Sequence, residues 1–444
     1  MLRPQLRDPT RRVFECHGTF TMSKLNRRRD FIANVKNVIA VGGLASQVNL
    51  NAGPAEVASH AAVGEDYYDK LGVAKIINAA GTYTAMTASI MPPSVQAAVA
   101  AAAKHPVHLA ELQKNAGEYL AKKLRCEAAM VTAGASSGLT LAAAACVMVA
   151  NNCSILDIPT EIPKMKDEVI IQKGHRYGYD QAVRCCGTRF IEVTTMDEYK
   201  AAFNSKTVAT LFFNAAEKGE ISREDWIKVA HEHNIPCMND AAADMPPIAN
   251  LWNYTAMGFD LVIFSGGKGI RGPQNAGLLL GKKELIAAAT KNNNPFDGVG
   301  RGMKVAKEQI VGMLAAVDWL LSQTDEGMDA EFRKRANRIS AQLKTIPTLK
   351  AEIMTPPLAN HVPHLLLTYD QAKVKIAPRD VMLELRKGTP SIELNPSTGS
   401  RRGGSAGLPG GVNTVVVGVW MLQPGEDLIV AKRLREVLSK AAKA

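Results

Sequence analysis

Between residues 127 and 281, short apolar runs alternate with helix-like stretches, and this pattern constrains the fold more than any other feature of the chain. The runs are Glu127–Thr132, Asp167–Gln172, Arg189–Val193, Val208–Asn214, Ile235–Asp240, Asp260–Ser265 and Ala276–Gly281. They are too short for buried helices and rich in Val, Ile, Leu and Phe, so they read as strands. Helical spacing fills several of the gaps. The stretch 133–150 opens on small residues and turns alanine-rich, residues 179–187 end at Gly187, and 222–234 begins on an N-cap serine with acidic residues in its first turn. Ahead of them, 92–104 reads as a helix opened by proline, and Leu109, Leu112, Ala116, Tyr119, Leu120 and Leu124 recur at helical spacing. Strands alternating with helices predict an α/β fold with a mostly parallel central sheet flanked by helices.

Beyond about residue 325 the texture changes. A long helix (329–346), a strand (364–369), a helix (379–388) and two strands (391–394, 413–422) predict a smaller α+β domain. The expected organisation is therefore a large domain over 65–325 and a small one over 326–444, after a leader of 64 residues. The Gly- and Ser-rich segment 396–411 reads as a loop.

The net charge of +11 raises nucleic acid as a partner. Residues 1–60 hold nine Lys and Arg against four Asp and Glu, which is +5 of that total, leaving +6 over residues 61–444 without a basic run. No nucleic-acid partner is expected from so thin an excess. The seven cysteines contain no C-x-x-C pair and several lie in apolar runs, so they read as small buried hydrophobes and no metal site is expected. No apolar run reaches the ~18 residues that a membrane-spanning helix needs, and no stable membrane insertion is expected.

The leader has a different character. Arg28-Arg29-Asp30-Phe31-Ile32 resembles the twin-arginine export signal, and a weakly apolar segment follows at Val38–Ala45. Residues 1–64 are read as that signal and a linker, which predicts a periplasmic protein.

Three groups fall at the carboxyl ends of predicted strands, where open α/β sheets bind ligands. Thr132–Gly138 offers small residues and a helix start, whose free backbone N–H groups suit a phosphate. Asp240 closes an apolar strand without a local counter-charge. Lys268 sits among glycines just past another strand, in Phe264–Gln274. A phosphate-binding P-loop is excluded, because Gly269 follows the lysine and Val262 stands where the first glycine belongs. Phosphate cradle, carboxylate and amine, in this order, are what pyridoxal phosphate needs: an anchor, a partner for the pyridine nitrogen, and a Schiff-base nitrogen.

The segments 77–86, 111–138, 171–193, 231–247, 265–281, 300–310 and 422–426 resemble the selenocysteine-synthase-like branch of fold-type I pyridoxal 5'-phosphate enzymes. The resemblance implies that Lys268 holds the cofactor, Asp240 pairs with the pyridine nitrogen, and Ala135 and Ser136 donate backbone N–H groups to the phosphate. It implies a hydroxyl contact from Ser265 and places His175 over the ring. Asn78, Thr82, Arg176, Tyr179, Arg301 and Lys304 are its substrate or phosphate candidates. A homodimer or higher homo-oligomer is also implied.

The branch holds ammonia-lyases and seryl-tRNA selenium transferases. The thin charge of the body favours a lyase on a small amino acid or amino sugar acid, acting by Cα proton removal and β-elimination with ammonia release. A selenium-transferase-like activity, a racemase and an aldolase are the alternatives.

Overall fold

The computed structural model describes residues 66–215, 219–401, 408 and 411–443; the export-signal stretch and half of the 396–411 loop lie outside them. Residues 68–444 form one compact unit. Its strands are β1 (Ile76–Ala79), β2 (Ala128–Thr132), β3 (Glu168–Gln172), β4 (Arg189–Val193), β5 (Thr207–Phe213), β6 (Cys237–Asp240), β7 (Leu261–Ser265), β8 (Gly277–Gly281), β9 (Lys350–Met354), β10 (His364–Thr368), β11 (Ser391–Leu394) and β12 (Thr414–Gly418). The principal helices are α1 (Pro93–Ala103), α2 (Leu109–Leu124), α3 (Gly134–Asn151), α4 (Arg223–Glu232), α5 (Lys283–Asn292), α6 (Lys307–Leu321), α7 (Asp325–Gln342), α8 (Pro378–Lys387) and α9 (Glu426–Lys443).

The seven strands expected between residues 127 and 281 form one sheet, in the order β2-β8-β7-β6-β5-β3-β4. The neighbours from β7 to β4 are parallel, and β8 runs against both β7 and β2. A short connection explains the reversal. Eleven residues join β7 to β8, too few for the helical crossover that a parallel neighbour needs.

Alternate residues of each strand enter opposite cores. Val262 and Phe264 of β7 pack with Leu120, Leu124, Ile310, Met313 and Val317 of α2 and α6. Leu261 and Ile263 pack on the other face with Leu139, Leu141 and Val147 of α3 and Leu285 and Ile286 of α5. Each fully buried Leu, Ile, Val or Phe contributes about 1.5–3 kcal/mol relative to an exposed one.

Helix α3 corrects one expectation. Among the described residues it is the one helix long and apolar enough to cross a membrane. Most of it is buried, and its apolarity is explained by packing beneath the sheet. The helix expected over 179–187 is reduced to the single turn Gln181–Arg184.

The C-terminal region builds a third core beneath a β12-β10-β9 antiparallel sheet and the helices α7, α8 and α9. Strand β1 pairs in parallel with β11, so chain from the front of the body joins this layer. Strand β9 was not foreseen, because Lys350, Ala351 and Glu352 are exposed and carry no apolar alternation.

Candidate active site

Register brings the strand ends together. Thr132, Gly277 and Ser265 are cross-strand partners at the end of the sheet. On the other side of β7, Ile263 is opposite Asp240, and Asp240 is opposite Phe213 of β5. The turn into α3, the lysine turn and the Asp240 carboxylate therefore share one edge, where the chain reverses out of the sheet.

At the turn into α3, Gly134 has φ +83°, a left-handed conformation that favours glycine. The Ala133 N-cap supplies no side-chain hydrogen bond to the first turn. Backbone N–H groups there, at Ala135 and Ser136 among them, lack intrahelical partners and carry the positive end of the helix dipole. Ser137 Oγ is buried and has no partner. A helix start with a spare hydroxyl is a ready anion site.

Lys268 follows β7 in a turn with no space for side chains. A Cβ on Gly267 would stand 2.6 Å from Gln274 Cα, and one on Gly269 would stand 2.1 Å from the Met245 carbonyl oxygen. The glycines thus let the lysine turn pack against its own chain. Ser89 Oγ donates to the Gly267 carbonyl at 2.7 Å and ties the N-terminal segment to the same turn. The Lys268 amine makes no hydrogen bond or ion pair among the described residues. Burial lowers its pKa, and the nearby Asp240 and Asp244 charges oppose that shift.

Asp240 is 3% exposed, and burial raises its pKa. Its Oδ1 accepts from the Ala242 N–H at 3.0 Å, and its Oδ2 accepts from the Tyr177 hydroxyl. Tyr177 is itself fixed by stacking on Phe213, with centroids 3.8 Å apart and planes 8° from parallel. Asn214 extends β5 beside this pair. Its Oδ1 accepts from Arg223 Nε at 2.8 Å, while its Nδ2 faces the Asp244 carboxylate without closing a hydrogen bond. Asp244, bonded to the Tyr254 hydroxyl at 2.9 Å, is raised to about 6 by burial.

Sequence reading missed Tyr177, Asn214, Arg223 and Asp244. Asn214 carried the same signal as Asp240, a polar residue closing an apolar strand. Tyr177 carried none, because its partner is 63 residues away.

The other candidates divide. His175 is buried at this edge, but its Nδ1 accepts from the Phe213 N–H at 3.3 Å and its ring meets Phe212 edge-on at 4.5 Å. Ser265 is half-buried at the end of β7. Arg176 is held by Asp180 at 2.6 Å and by Glu192, and Tyr179 is 61% exposed. Asn78 spends its amide on Gly81, Ala88 and Ala80 in its own loop, and Thr82 is buried. Arg301, 3.6 Å from Asp297, and Lys304 are exposed and do not join the strand-end cluster within this chain.

A metal was not expected, yet His231, Cys237 and Asp260 bring their ligand atoms within 4.8 Å of one another. They are satisfied internally. Asp260 Oδ2 takes His231 Nε2 at 2.9 Å and the Cys237 N–H at 2.7 Å, and burial pushes the thiol up to about 12.

The buried imidazoles predict an acid limit. Burial lowers His175 and His364 to about 4, so the folded chain refuses protons that the unfolded chain accepts near 6.5. Stability contributed by their neutral state is present above about pH 6.5 and is lost as pH falls toward 4, by about 3 kcal/mol per histidine. Thermal melts should fall through that window, and His175→Gln with His364→Gln should flatten the fall. Identical slopes for the variant and the parent would refute the assignment.

The residues fit a phosphorylated pyridine. Ser137 Oγ at the helix start, Asn214 Nδ2 at the end of β5 and the Lys268 amine are donors without a partner among the described residues, and Asp240 is a buried carboxylate on the same strand-end edge.

Known proteins share this frame. The family model described as L-seryl-tRNA selenium transferase matches residues 76–362. D-glucosaminate-6-phosphate ammonia lyase of Salmonella typhimurium is 28% identical over 392 residues, 84% of this chain and 98% of that protein. A Streptomyces 5'-C-glycyluridine monooxygenase-decarboxylase is 29% identical over 341 residues, 74% of this chain and 83% of that one. L-seryl-tRNA(Sec) selenium transferase of Aquifex aeolicus is 26% identical, over 45% of this chain and 50% of its own length. A solved structure of D-glucosaminate-6-phosphate ammonia-lyase superposes with a TM-score of 0.72 at 27% identity, covering 85% of this chain and 99% of that chain. With its strand-end lysine and carboxylate, the chain belongs to the L-seryl-tRNA selenium transferase family of pyridoxal-phosphate-dependent enzymes.

Proposed function

We propose that the chain is a lyase that converts a small β-hydroxy α-amino acid, or an amino sugar acid of that pattern, into a keto acid and ammonia. The carrying observation is the Lys268 amine, free of partners among the described residues and held toward its neutral form by burial against the opposing charge of Asp240. Similarity along nearly the whole length of an ammonia lyase supports the same reading.

Pyridoxal phosphate, when bound, supplies an aldehyde to carry the substrate amine and a protonated pyridine that draws electrons from the Cα–H bond. The chain does the rest. The first turn of α3 and Ser137 would hold the cofactor's phosphate. Asp240, with Tyr177 donating to its Oδ2, would keep the proton on the ring nitrogen. Asn214 Nδ2 is free to bond the ring hydroxyl oxygen. Lys268 Nζ takes the Cα proton and returns a proton to the departing β-hydroxyl, which leaves as water. Water then releases ammonia from the unsaturated amine, so the net change is loss of ammonia with no oxidation or reduction.

The test is a screen of purified protein against D- and L-hydroxy amino acids and amino sugar acids for keto-acid and ammonia release, with a gel-shift on seryl-tRNA beside it. Release from at least one acid and no shift at ordinary salt are expected. A salt-sensitive shift at sub-micromolar protein, without release from any acid, would replace the lyase by the transferase reading.

A further inference from the structure

Behind the lysine turn lies a cavity of about 180 Å³, lined on one side by Pro246, Gly269 and Arg271 and on the other by residues of α6, α7 and the segment after β12. None of Lys268, Asp240, Tyr177, His175 or Asn214 lines it. Its walls are apolar and aromatic, with Trp319, Met328, Phe332 and Trp420. Two guanidiniums interrupt them. Arg335 is matched, bonding Glu331 at 3.1 Å and the Leu422 carbonyl at 2.6 Å. Arg271 is not: one N–H meets the Trp420 carbonyl at 2.5 Å, its guanidinium lies 5.9 Å from the Trp319 ring, and no carboxylate pairs with it among the described residues. Burial, and then the Arg335 charge, push Arg271 down to about 10. The indole N–H of buried Trp420 also has no acceptor.

The backbone adds a separate observation. Arg271 has φ +58°, a conformation that costs any residue but glycine. A glycine would sit there unstrained, yet the turn carries an arginine with unspent donors beside the cavity.

We propose that this cavity is a second ligand site, separate from the cofactor site, and that it takes a small carboxylic acid with a flat apolar body. With Arg271, Arg335 and Glu331 around it, the cavity carries one net positive charge, which a monocarboxylate balances and a phosphate dianion exceeds. The planar fork of Arg271 suits a carboxylate, and the two tryptophans suit a ring or a branched chain. The volume is close to that of cavities, near 150 Å³, that hold benzene. Because the cavity bridges the lysine turn and the first C-terminal helices, its occupant would brace the turn that carries Lys268.

The probe is benzoate, titrated calorimetrically into the full-length, cofactor-loaded protein, with benzamide as its uncharged isostere. Saturable benzoate binding is expected, with benzamide at least about tenfold weaker. Arg271→Gly removes the guanidinium and relieves the backbone, so it should fold at least as well and bind benzoate at least about tenfold more weakly. Arg271→Gln is the second variant if the glycine loosens the turn. Lys268→Ala should keep benzoate affinity within about twofold, since the lysine does not line the cavity. Absence of benzoate binding, equal binding of benzamide, or unchanged binding in both Arg271 variants would each overturn the proposal. So would loss of benzoate binding in Lys268→Ala, which would put the acid in the cofactor site. A protein inactive in every lyase assay that still binds benzoate through Arg271 would separate this inference from the proposed function.

Discussion

Lys268→Ala should leave the fold intact, abolish borohydride-fixable cofactor and reduce keto-acid release by about ten-thousandfold or more. The size of the effect follows from what the residue does twice. In the proposed mechanism its amine is the covalent anchor, and the same amine is the base for the Cα proton. No other lysine lies in the lysine turn, where Gly266, Gly267 and Gly269 leave no space for any side chain. The substitution removes a buried amine that holds no hydrogen bond, so little stability is at stake. Two measurements check it: mass of the borohydride-reduced protein and single-turnover release. Label retained at another lysine, with turnover within tenfold of the parent, would remove Lys268 from the mechanism.

Asp240→Asn should keep most of the cofactor and lose about a hundredfold or more in turnover. Asparagine preserves the shape and its oxygen can still accept from the Ala242 N–H, with its NH2 turned to the Tyr177 hydroxyl oxygen, but it has no charge to hold a proton on a ring nitrogen. An exposure of only 3% makes the effect large, because a buried charge acts through little screening. The expected spectroscopic companion is a shifted cofactor absorbance band. Turnover within a few-fold of the parent would make Asp240 a structural residue that only seats Tyr177.

The two residues differ in how they could be found. Both stand at strand ends, and strand ends are visible wherever an apolar run stops at a polar residue. Asn214 is visible in the same way, as the polar end of β5's apolar run. Arg176 illustrates the converse. Its place beside His175 suggested a substrate contact, but Asp180 and Glu192 were free to claim it once β3 and β4 paired. A chain-adjacent arginine is a candidate only until its neighbours in space are known.

Local order decided the α/β alternation, because period and run length are properties of a few consecutive residues. The lysine turn was equally legible, since five Gly and Pro among eleven residues exclude packing side chains. Tertiary structure alone decided strand order, with β8 reversed between β2 and β7. It alone carried the Tyr177 hydroxyl to Asp240, moved β1 into the C-terminal layer, and opened the cavity beside Arg271. The physical reason is common to all four. Hydrogen bonds and voids between distant segments depend on which faces pack together, and that is settled by burying both faces of the sheet at once, not by any one stretch of chain.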